Sequence, residues 1–413
     1  WQTSQPENAP HERSSREAME QNRMSTRSVV SQTANAASTV SPVIASEWIV
    51  ANAVLPHVVQ ASTRITAQNG RIVAIEQVAP AAGTDRMPGT LLPGFVDLQV
   101  NGAGGRSVDE ATPEALDVVA EATWRGGAVA FLPTLITAPW DRLLQQVDAV
   151  ARWIGAYRGR GAAPLGLHLE GPFLFTAGAH DAEWFLDPTP ARVRELLAAS
   201  RGYLRLITLA NARTGAAEAV GLLREHGVTC ALGHCDRTEG FAECTAAGAT
   251  AVTHLFNAMG PMHHRDVGIA GQALDDDRLT CALIADGVHV HPVMVRNAFR
   301  ILGPDRTVLV TDATAAAGRP DGEYQLAGKR LVAKDGVVRD TAGRLAGSAL
   351  TMGRAAANFL RFVPQAGPWT LARIASSNPA RLAVAGDHGG IAIGKRAAFT
   401  LLGDDGTFTC VRS

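Results

Sequence analysis

The chain has 413 residues, of which 46% are hydrophobic and 19% are charged, and its formal net charge is -1 at pH 7. This length is sufficient for one large α/β domain with a smaller appendage. The balanced charge argues against a nucleic-acid or membrane-surface partner, and the chain contains no apolar run of about eighteen residues that would predict a membrane span.

The cysteines do not follow a metal-binding or disulfide pattern. They number five and lack C-x-x-C spacing, so a disulfide framework and a zinc knuckle are both disfavoured. A reducing cytoplasm is the expected compartment. Cys235 follows His234, and we interpret it as a buried thiol that packs against the site, with a ligand or nucleophile role as the alternative.

Both chain ends have a composition unlike that of the middle. Residues 1–45 are rich in Ser, Thr, Gln, Asn and Ala without an apolar period, and we expect a disordered N-terminal leader. Short β-branched runs then follow, interrupted by the turn dipeptide Asn69-Gly70. The C-terminal stretch has the same character, so residues 46–92 plus 385–413 are predicted to form a small β-sandwich domain built from both chain ends.

Residues 93–384 alternate short apolar runs with longer amphipathic segments, such as Thr112–Trp124 and Pro139–Tyr157. Nearly continuous apolar strands separated by helices indicate a parallel sheet covered by helices, and eight such units predict a (β/α)8 TIM-like barrel. The eight strand candidates are residues 94–100, 128–134, 165–171, 204–210, 228–234, 249–254, 279–286 and 307–312.

Four polar residues stand at the ends of these candidate strands: Glu170, His234, His254 and Asp312. Each alone has an ordinary interpretation, as a turn cap, an arginine partner or a structural histidine. Together they predict a one-metal hydrolase centre, because Glu170, His234 and His254 supply three ligands and leave one position open for water. Asp312 is then the predicted general base and acid.

Other polar residues are weaker candidates. His180, Arg265 and His289 lie in loops after predicted strands, where single residues of these types are more often ordinary surface groups. His168 shares a strand face with Glu170 and is a candidate partner for it. No lysine precedes Lys329, which excludes a carbamylated lysine bridging two metals on a mid-barrel strand.

Several long motifs carry a family resemblance. The segments LPGFVDLQVNGAGG, LGLHLEGPF, THLFNAM, ADGVHV, VTDATAAAG and LAGSALTMG resemble those of the N-acetylglucosamine-6-phosphate deacetylases of the amidohydrolase superfamily, from about Glu47 to the end. Gln99-Val100-Asn101 replaces the usual His-x-His, and the resemblance therefore implies one metal per chain.

The resemblance also implies roles for individual residues. It assigns metal ligation to Glu170, His234 and His254, proton transfer to Asp312, polarisation of the acetyl carbonyl to His180, sugar-phosphate contacts to Asn257 and the Ala258 backbone, and completion of substrate binding to Arg265 and His289. Arg265 is expected to act across the interface of a homodimer.

The expected reaction is metal-dependent deacetylation of N-acetylglucosamine 6-phosphate to glucosamine 6-phosphate and acetate. Zinc is the expected metal, although iron, manganese and cobalt accept the same nitrogen and oxygen shell. One alternative is an amidohydrolase acting on another N-acetyl amino-sugar phosphate, an N-acyl amino acid or a cyclic amide. Another is a non-catalytic barrel that binds a sugar phosphate.

Overall fold

The computed structural model describes residues 45–79 and 86–413. The predicted leader, apart from Ala45, lies outside the described residues. The strands are β1 (Ala45–Val54), β2 (Val59–Gln68), β3 (Arg71–Gln77), β4 (Met87–Pro93), β5 (Phe95–Val100), β6 (Gly102–Ala103), β7 (Arg106–Ser107), β8 (Ala128–Ile136), β9 (Ala163–Pro164), β10 (Leu167–Glu170), β11 (Leu204–Leu209), β12 (Thr229–Leu232), β13 (Ala251–Val252), β14 (Thr280–Ile284), β15 (Thr307–Val310), β16 (Gly322–Leu326), β17 (Lys329–Lys334), β18 (Val337–Asp340), β19 (Leu345–Ser348), β20 (Ala398–Leu402) and β21 (Phe408–Arg412).

Helices follow most barrel strands. The α-helices are α1 (Pro113–Arg125), α2 (Trp140–Ala156), α3 (Pro190–Ala199), α4 (Ala216–Glu225), α5 (Phe241–Ala247), α6 (Gly268–Asp275), α7 (Pro292–Leu302), α8 (Met352–Phe362), α9 (Pro368–Leu371) and α10 (Asn378–Leu382). Two 3-10 turns span Val108–Glu110 and Ala182–Trp184, and a π-helical turn spans Ala372–Ser377. Within the described ranges no helix is long and apolar enough to cross a membrane.

The two chain ends meet in one six-stranded sheet of order β21-β20-β4-β1-β2-β3. Asn69 and Gly70 both have positive φ and connect β2 to β3, as the turn dipeptide predicts. Trp48 from the N-terminal end packs edge-on against Phe399 from the C-terminal end, with ring centroids 5.2 Å apart. Burial of this shared apolar face joins the two ends of the chain.

The central sheet contains eight parallel strands in the order β15-β14-β13-β12-β11-β10-β8-β5, with the short β9 paired to β8. Each of the eight overlaps one of the predicted strand segments. β15 and β5 close the ring through a parallel bridge between Val100 and Ala313. The strands are buried along most of their length because side chains fill the barrel interior and helices cover its outside. The predicted barrel with a small β domain built from both chain ends is therefore confirmed. In the described residues this domain is one six-stranded sheet, where a sandwich of two sheets was predicted.

Local signals position the first outer helix. Thr112 accepts a hydrogen bond from the Ala115 backbone at 3.3 Å, and Pro113 occupies the first helical position of α1. Leu116 and Val119 lie on the buried face of α1 and join the core around the barrel. The predicted helix 112–124 agrees with these bounds within one residue.

A four-stranded antiparallel sheet, of order β16-β17-β18-β19, follows the last barrel strand and was not predicted. We call these four strands the second sheet. Asp335 and Gly336 have positive φ at its central turn, a signal that the sequence does contain. The Ser348 backbone N–H donates to the Asp312 carbonyl oxygen at 2.8 Å, so β19 is attached directly to the rim of the barrel. This attachment brings the second sheet beside the predicted catalytic residues.

Candidate active site

Four predicted site residues meet at one rim of the barrel. Glu170 is the last residue of β10, while His234, His254 and Asp312 each follow the end of their strand by two residues. The last three residues have positive φ, of 48°, 28° and 50° respectively. A left-handed backbone is strained for these side chains, and such strain is concentrated at functional sites, where it turns a side chain toward its target.

Three buried side chains from this group place their donor atoms together. Glu170 Oε1 lies 2.9 Å from His254 Nε2 and 3.3 Å from His234 Nε2, and the two imidazole nitrogens are 3.2 Å apart. His234 Nδ1 donates to the Thr176 carbonyl at 2.8 Å, which leaves a lone pair on Nε2.

This donor set fits a divalent metal. The Nε2 atoms of His234 and His254 are 3.2 Å apart, and their lone pairs repel unless a proton or a cation lies between them. A carboxylate with two imidazoles is a typical catalytic zinc ligand set. In the described part of the chain, buried His254 Nδ1 has no hydrogen-bond partner. The geometry thus brings together the three residues expected to bind the metal.

The two central carboxylates have different electrostatic surroundings. Burial alone would raise the pKa of Glu170, but hydrogen bonds from His180, His234 and His254 outweigh burial and hold that pKa well below its usual value. Burial, reinforced by the nearby negative charge of Glu170, raises the pKa of Asp312 to about 6. One carboxylate is therefore stabilised as an anion and the other is the better proton acceptor.

The amide of one β5 residue connects these carboxylates, and a second amide just after β5 bonds to one of them. Gln99 Nε2 donates to Glu170 Oε1 at 2.9 Å and to Asp312 Oδ1 at 3.0 Å. Asn101 Nδ2 donates to the same Asp312 oxygen at 2.7 Å. Sequence reasoning noted Gln99 and Asn101 only as replacements for histidine ligands and missed this bridging arrangement, which the alternation of residues 99 and 101 on one strand face could have suggested.

His180 also reaches the site, from the irregular segment that follows β10. Its Nε2 lies 3.5 Å from Glu170 Oε2, and its Nδ1 is hydrogen-bonded to the Thr137 hydroxyl just beyond β8. When Thr137 donates to Nδ1, Nε2 carries the proton and can donate a hydrogen bond. Burial lowers the pKa of His180 to about 4, so the imidazole is neutral near pH 7.

A cavity of about 230 Å³ opens above these residues. Asn257, Ala258 and His289 line it, and His289 Nδ1 is 2.6 Å from Asp286 Oδ2. The Asn257 side chain is tied to the rim by hydrogen bonds from its Nδ2 to the carbonyls of His254 and Leu255. The second sheet contributes a wall that sequence reasoning missed, made of Leu326, Leu345 and Gly347.

Three other candidates lie outside this cavity. Arg265 is exposed, and its side chain contacts the neighbouring His264 ring at 3.1 Å, so one copy of the chain does not place it at the site. His168 bonds to the Leu98 carbonyl and the Thr208 hydroxyl inside the barrel and forms no hydrogen bond to Glu170. Cys235 is fully buried in the apolar core.

A larger cleft of about 660 Å³ lies next to the sheet built from the chain ends. Its lining includes His57, Arg373 and Lys395 but no carboxylate. Size alone therefore does not identify the reactive centre, and the converging ligand atoms favour the smaller cavity.

Comparisons with known proteins agree on one family. The model of the amidohydrolase family matches residues 90–411. The N-acetylgalactosamine-6-phosphate deacetylase of Escherichia coli O157:H7 is 37% identical over 81% of this chain and 89% of its own length. The N-acetylglucosamine-6-phosphate deacetylase of Vibrio furnissii is 36% identical over 82% of this chain and 86% of its own length.

Solved structures show the same likeness. A mutant N-acetyl-D-glucosamine-6-phosphate deacetylase from Mycobacterium smegmatis, in complex with N-acetyl-D-glucosamine-6-phosphate, is 34% identical with a TM-score of 0.83. The alignment covers 89% of this chain and 97% of that one. The enzyme of the same name from Thermotoga maritima has a TM-score of 0.80 at 28% identity, over 89% of this chain and 98% of that one.

Proposed function

This chain belongs to the amidohydrolase family, and we propose that it hydrolyses N-acetylglucosamine 6-phosphate to glucosamine 6-phosphate and acetate. The observation that carries the proposal is the convergence of Glu170, His234 and His254 on one point beside buried Asp312. Relatives that match over most of the chain carry the names of amino-sugar phosphate deacetylases, which supports this substrate class.

Glu170, His234 and His254 would hold one divalent metal, and we propose zinc, with iron, manganese or cobalt as alternatives. A bound metal supplies Lewis acidity, which polarises a carbonyl and lowers the pKa of water. The donor set of two imidazoles and one carboxylate supports zinc. Metal analysis of purified protein should find about one ion per chain, because these three side chains converge on one point and would supply the ligands of a single catalytic metal.

The surrounding residues would carry the proton transfers. Asp312 accepts a proton from the attacking water and then delivers it to the departing amine nitrogen. The amides of Gln99 and Asn101 hold the Asp312 carboxylate in place. His180 donates from Nε2 to the acetyl oxygen as negative charge develops there.

The remaining predicted residues would bind the sugar phosphate. Asn257, the Ala258 backbone and His289 line the cavity and would contact the substrate directly. Arg265 would reach the cavity of a second copy in a homodimer, where its planar guanidinium suits a phosphate. The exposed apolar side chains of Met262 and Val267 flank Arg265 and support a contact between copies.

We also propose a cytoplasmic location, which the five free thiols of Cys230, Cys235, Cys244, Cys281 and Cys410 support. The domain division would place residues 46–92 and 385–413 in the small β domain and residues 93–384 in the barrel. The apolar cluster shared by Trp48, Ile65 and Phe399 supports this grouping.

A specific observation favours a second substrate. The Escherichia coli O157:H7 relative, 37% identical to this chain, is named for N-acetylgalactosamine 6-phosphate. That sugar differs from N-acetylglucosamine 6-phosphate only in the orientation of one hydroxyl, so the same metal centre suits both.

Acetate release tests these assignments. Metal-analysed protein is assayed with N-acetylglucosamine 6-phosphate, N-acetylgalactosamine 6-phosphate and unphosphorylated N-acetylglucosamine. A higher kcat/KM for the first sugar supports the proposal, and a higher value for the second selects the alternative. Equal rates with and without the phosphate contradict phosphosugar recognition.

A further inference from the structure

His180 lies in a segment with little regular structure of its own. Residues 171–189 connect β10 to α3 and contain only the short 3-10 turn Ala182–Trp184. The ring of His180 is fixed by Glu170 and Thr137, but helix and sheet hydrogen bonds do not fix the backbone on either side of it. Turn hydrogen bonds, such as that from the His180 N–H to the Ala177 carbonyl at 2.9 Å, hold the segment only to itself. A contact from another element would fix this backbone relative to the barrel.

Lys329 supplies such a contact from the second sheet. It is the first residue of β17 and follows the turn at Ala327 and Gly328. Its Nζ donates to the Ala179 carbonyl oxygen at 3.0 Å and lies 3.2 Å from Asp181 Oδ1. A single ammonium group therefore contacts the residue before His180 and the residue after it.

The same face of the sheet holds this segment by packing. Ala179 packs against an apolar cluster that includes Leu326, Leu331 and Val338, and both Ala179 and Leu326 line the cavity. The Lys329 side chain is 28% exposed, and so is only partly accessible to solvent. The apolar packing, the bond to the Ala179 carbonyl and the ion pair with the Asp181 side chain thus all act on the short stretch that contains His180.

Lysine suits this position chemically. The chain has only three lysines among its 38 Lys and Arg residues. A compact ammonium can bond a carbonyl and a carboxylate in different directions from one atom, whereas the planar guanidinium of arginine favours donors in one plane.

We propose that Lys329 is a positioning residue for the reaction, acting by holding the backbone on both sides of His180 so that the imidazole faces the acetyl oxygen. The proposal rests on the deacetylase function proposed above. It couples the second sheet to catalysis, in addition to the role of that sheet as a wall of the cavity. An exposed ion pair without this role would affect stability slightly and kcat not at all.

A double-mutant cycle tests the coupling. Lys329→Met is expected to lower kcat by about tenfold or more, with a smaller change in KM, because a modest displacement of a catalytic group is costly. In a His180→Asn background, Lys329→Met should cause no further loss of kcat, because the group that it positions is already absent. Equal losses in both backgrounds, or an unchanged kcat in the single variant, would overturn the proposal.

Lys334→Met is the matched control. Lys334 lies at the other end of β17 and is exposed, and within the described residues its side chain forms no hydrogen bond or ion pair. Its replacement should leave kcat and the melting temperature unchanged. A loss of kcat equal to that of Lys329→Met would show a general effect of charge and contradict the positioning role.

Amide hydrogen exchange separates failure of this proposal from failure of the proposed function. In Lys329→Met, a peptide covering residues 177–184 should exchange faster than in the wild-type protein, whereas Lys334→Met should leave its exchange unchanged. Faster exchange in a chain that releases no acetate would contradict the deacetylase function but retain the backbone contact. Unchanged exchange would overturn the positioning role whatever the activity.

Discussion

Glu170 and Asp312 are both buried carboxylates at the same rim, but their surroundings shift their pKa values in opposite directions. Three imidazoles stabilise the charged form of Glu170, whereas burial and the negative charge of Glu170 disfavour the charged form of Asp312. Paired acids with separated pKa values are a frequent basis for dividing catalytic work. Glu170 is therefore suited to hold a cation and Asp312 to exchange a proton.

Replacing Asp312 with asparagine tests this division at the level of one residue. Asp312→Asn keeps the size of the side chain and an oxygen that accepts from Gln99 and Asn101, but it removes the proton acceptor. We expect kcat to fall by about a hundredfold or more. Metal content and substrate affinity should change little, as measured by elemental analysis and equilibrium binding. A variant that keeps most of its turnover would contradict the assignment.

Gln99 offers a second prediction at this scale. Gln99→Met keeps the length of the side chain but removes the N–H groups that contact both carboxylates. Each carboxylate keeps another donor, His254 for Glu170 and Asn101 for Asp312, but loses one buried hydrogen bond to a charged group. The free energy of unfolding should therefore fall by about 1–3 kcal/mol. Because Asp312 also loses a positioning contact, kcat should fall by about tenfold.

Chemical denaturation and steady-state kinetics measure the two effects of that change. Gln99→Glu is an informative companion because it places a third carboxyl group beside two others, and repulsion should make it worse than Gln99→Met. Wild-type kcat in Gln99→Met would show that the bridging amide has no role in turnover.

At the scale of elements, the barrel explains why the clustering of these side chains could be predicted from sequence. Glu170 ends a buried parallel strand, and His234, His254 and Asp312 each follow one by two residues. The carboxyl ends of such strands meet at one rim. The alternation of apolar strands and helices in the sequence therefore predicts that these four side chains lie close together, without any knowledge of long-range contacts.

Strand and helix periodicity does not predict the position of the second sheet or the role proposed for Arg265. The sheet reaches the site through contacts between residues far apart in sequence, such as Ser348 with Asp312 and Lys329 with Ala179. Local periodicity does not encode such contacts. Arg265 lies on an exposed loop, and its proposed role depends on a second copy of the chain, whose position one sequence does not specify.

Gly347 tests how closely the second sheet must approach the barrel. Its φ is +59°, and an added Cβ would lie 2.8 Å from the Asp312 carbonyl oxygen and 2.6 Å from the Thr314 side chain. Gly347→Ala should therefore displace β19 from the rim and lower both kcat and the melting temperature. Gly343→Ala is the control, because Gly343 also has positive φ, of +80°, but a Cβ there meets nothing within 4 Å.

The control separates backbone strain from collision. Gly343→Ala should cost about 1 kcal/mol of stability, the usual cost of a left-handed alanine, and leave kcat unchanged. Gly347→Ala should cost more and should also impair turnover. Equal stability losses with normal activity in both variants would show that the close approach of β19 to Asp312 does not matter for catalysis.

At the scale of the whole molecule, one carboxylate joins the two chain ends. Asp387 Oδ2 lies 3.2 Å from Arg71 Nη2 in β3 and 3.0 Å from Arg396 Nε just before β20, and Asp387 Oδ1 lies 2.8 Å from His388 Nδ1. Burial alone would raise the pKa of Asp387, but His388 and Arg396 outweigh burial and lower the pKa from 3.8 to about 2. The folded protein therefore favours the ionised form of Asp387 more than the unfolded chain does.

The sign of the pH dependence follows from this lowered pKa. The stabilisation is fully present above the unfolded pKa near 3.8, and it is lost as the pH falls toward about 2. The Asp387 side chain is 34% exposed, so solvent screening reduces the contribution to about 1 kcal/mol. Asp387→Asn should therefore lower the free energy of unfolding at pH 6, and this deficit should disappear as the pH approaches 2.

Unfolding of the wild-type protein and Asp387→Asn at matched pH values measures the difference directly. The groups of the proposed metal site are the same in both proteins, so their titration cancels in the comparison. Asp404→Asn is the control, because Asp404 is exposed and forms no ion pair within the described ranges. Its replacement should change stability little at any pH. A deficit for Asp387→Asn that stayed constant from pH 6 to pH 2 would mean that side-chain packing, rather than the carboxylate charge, joins the chain ends at this point.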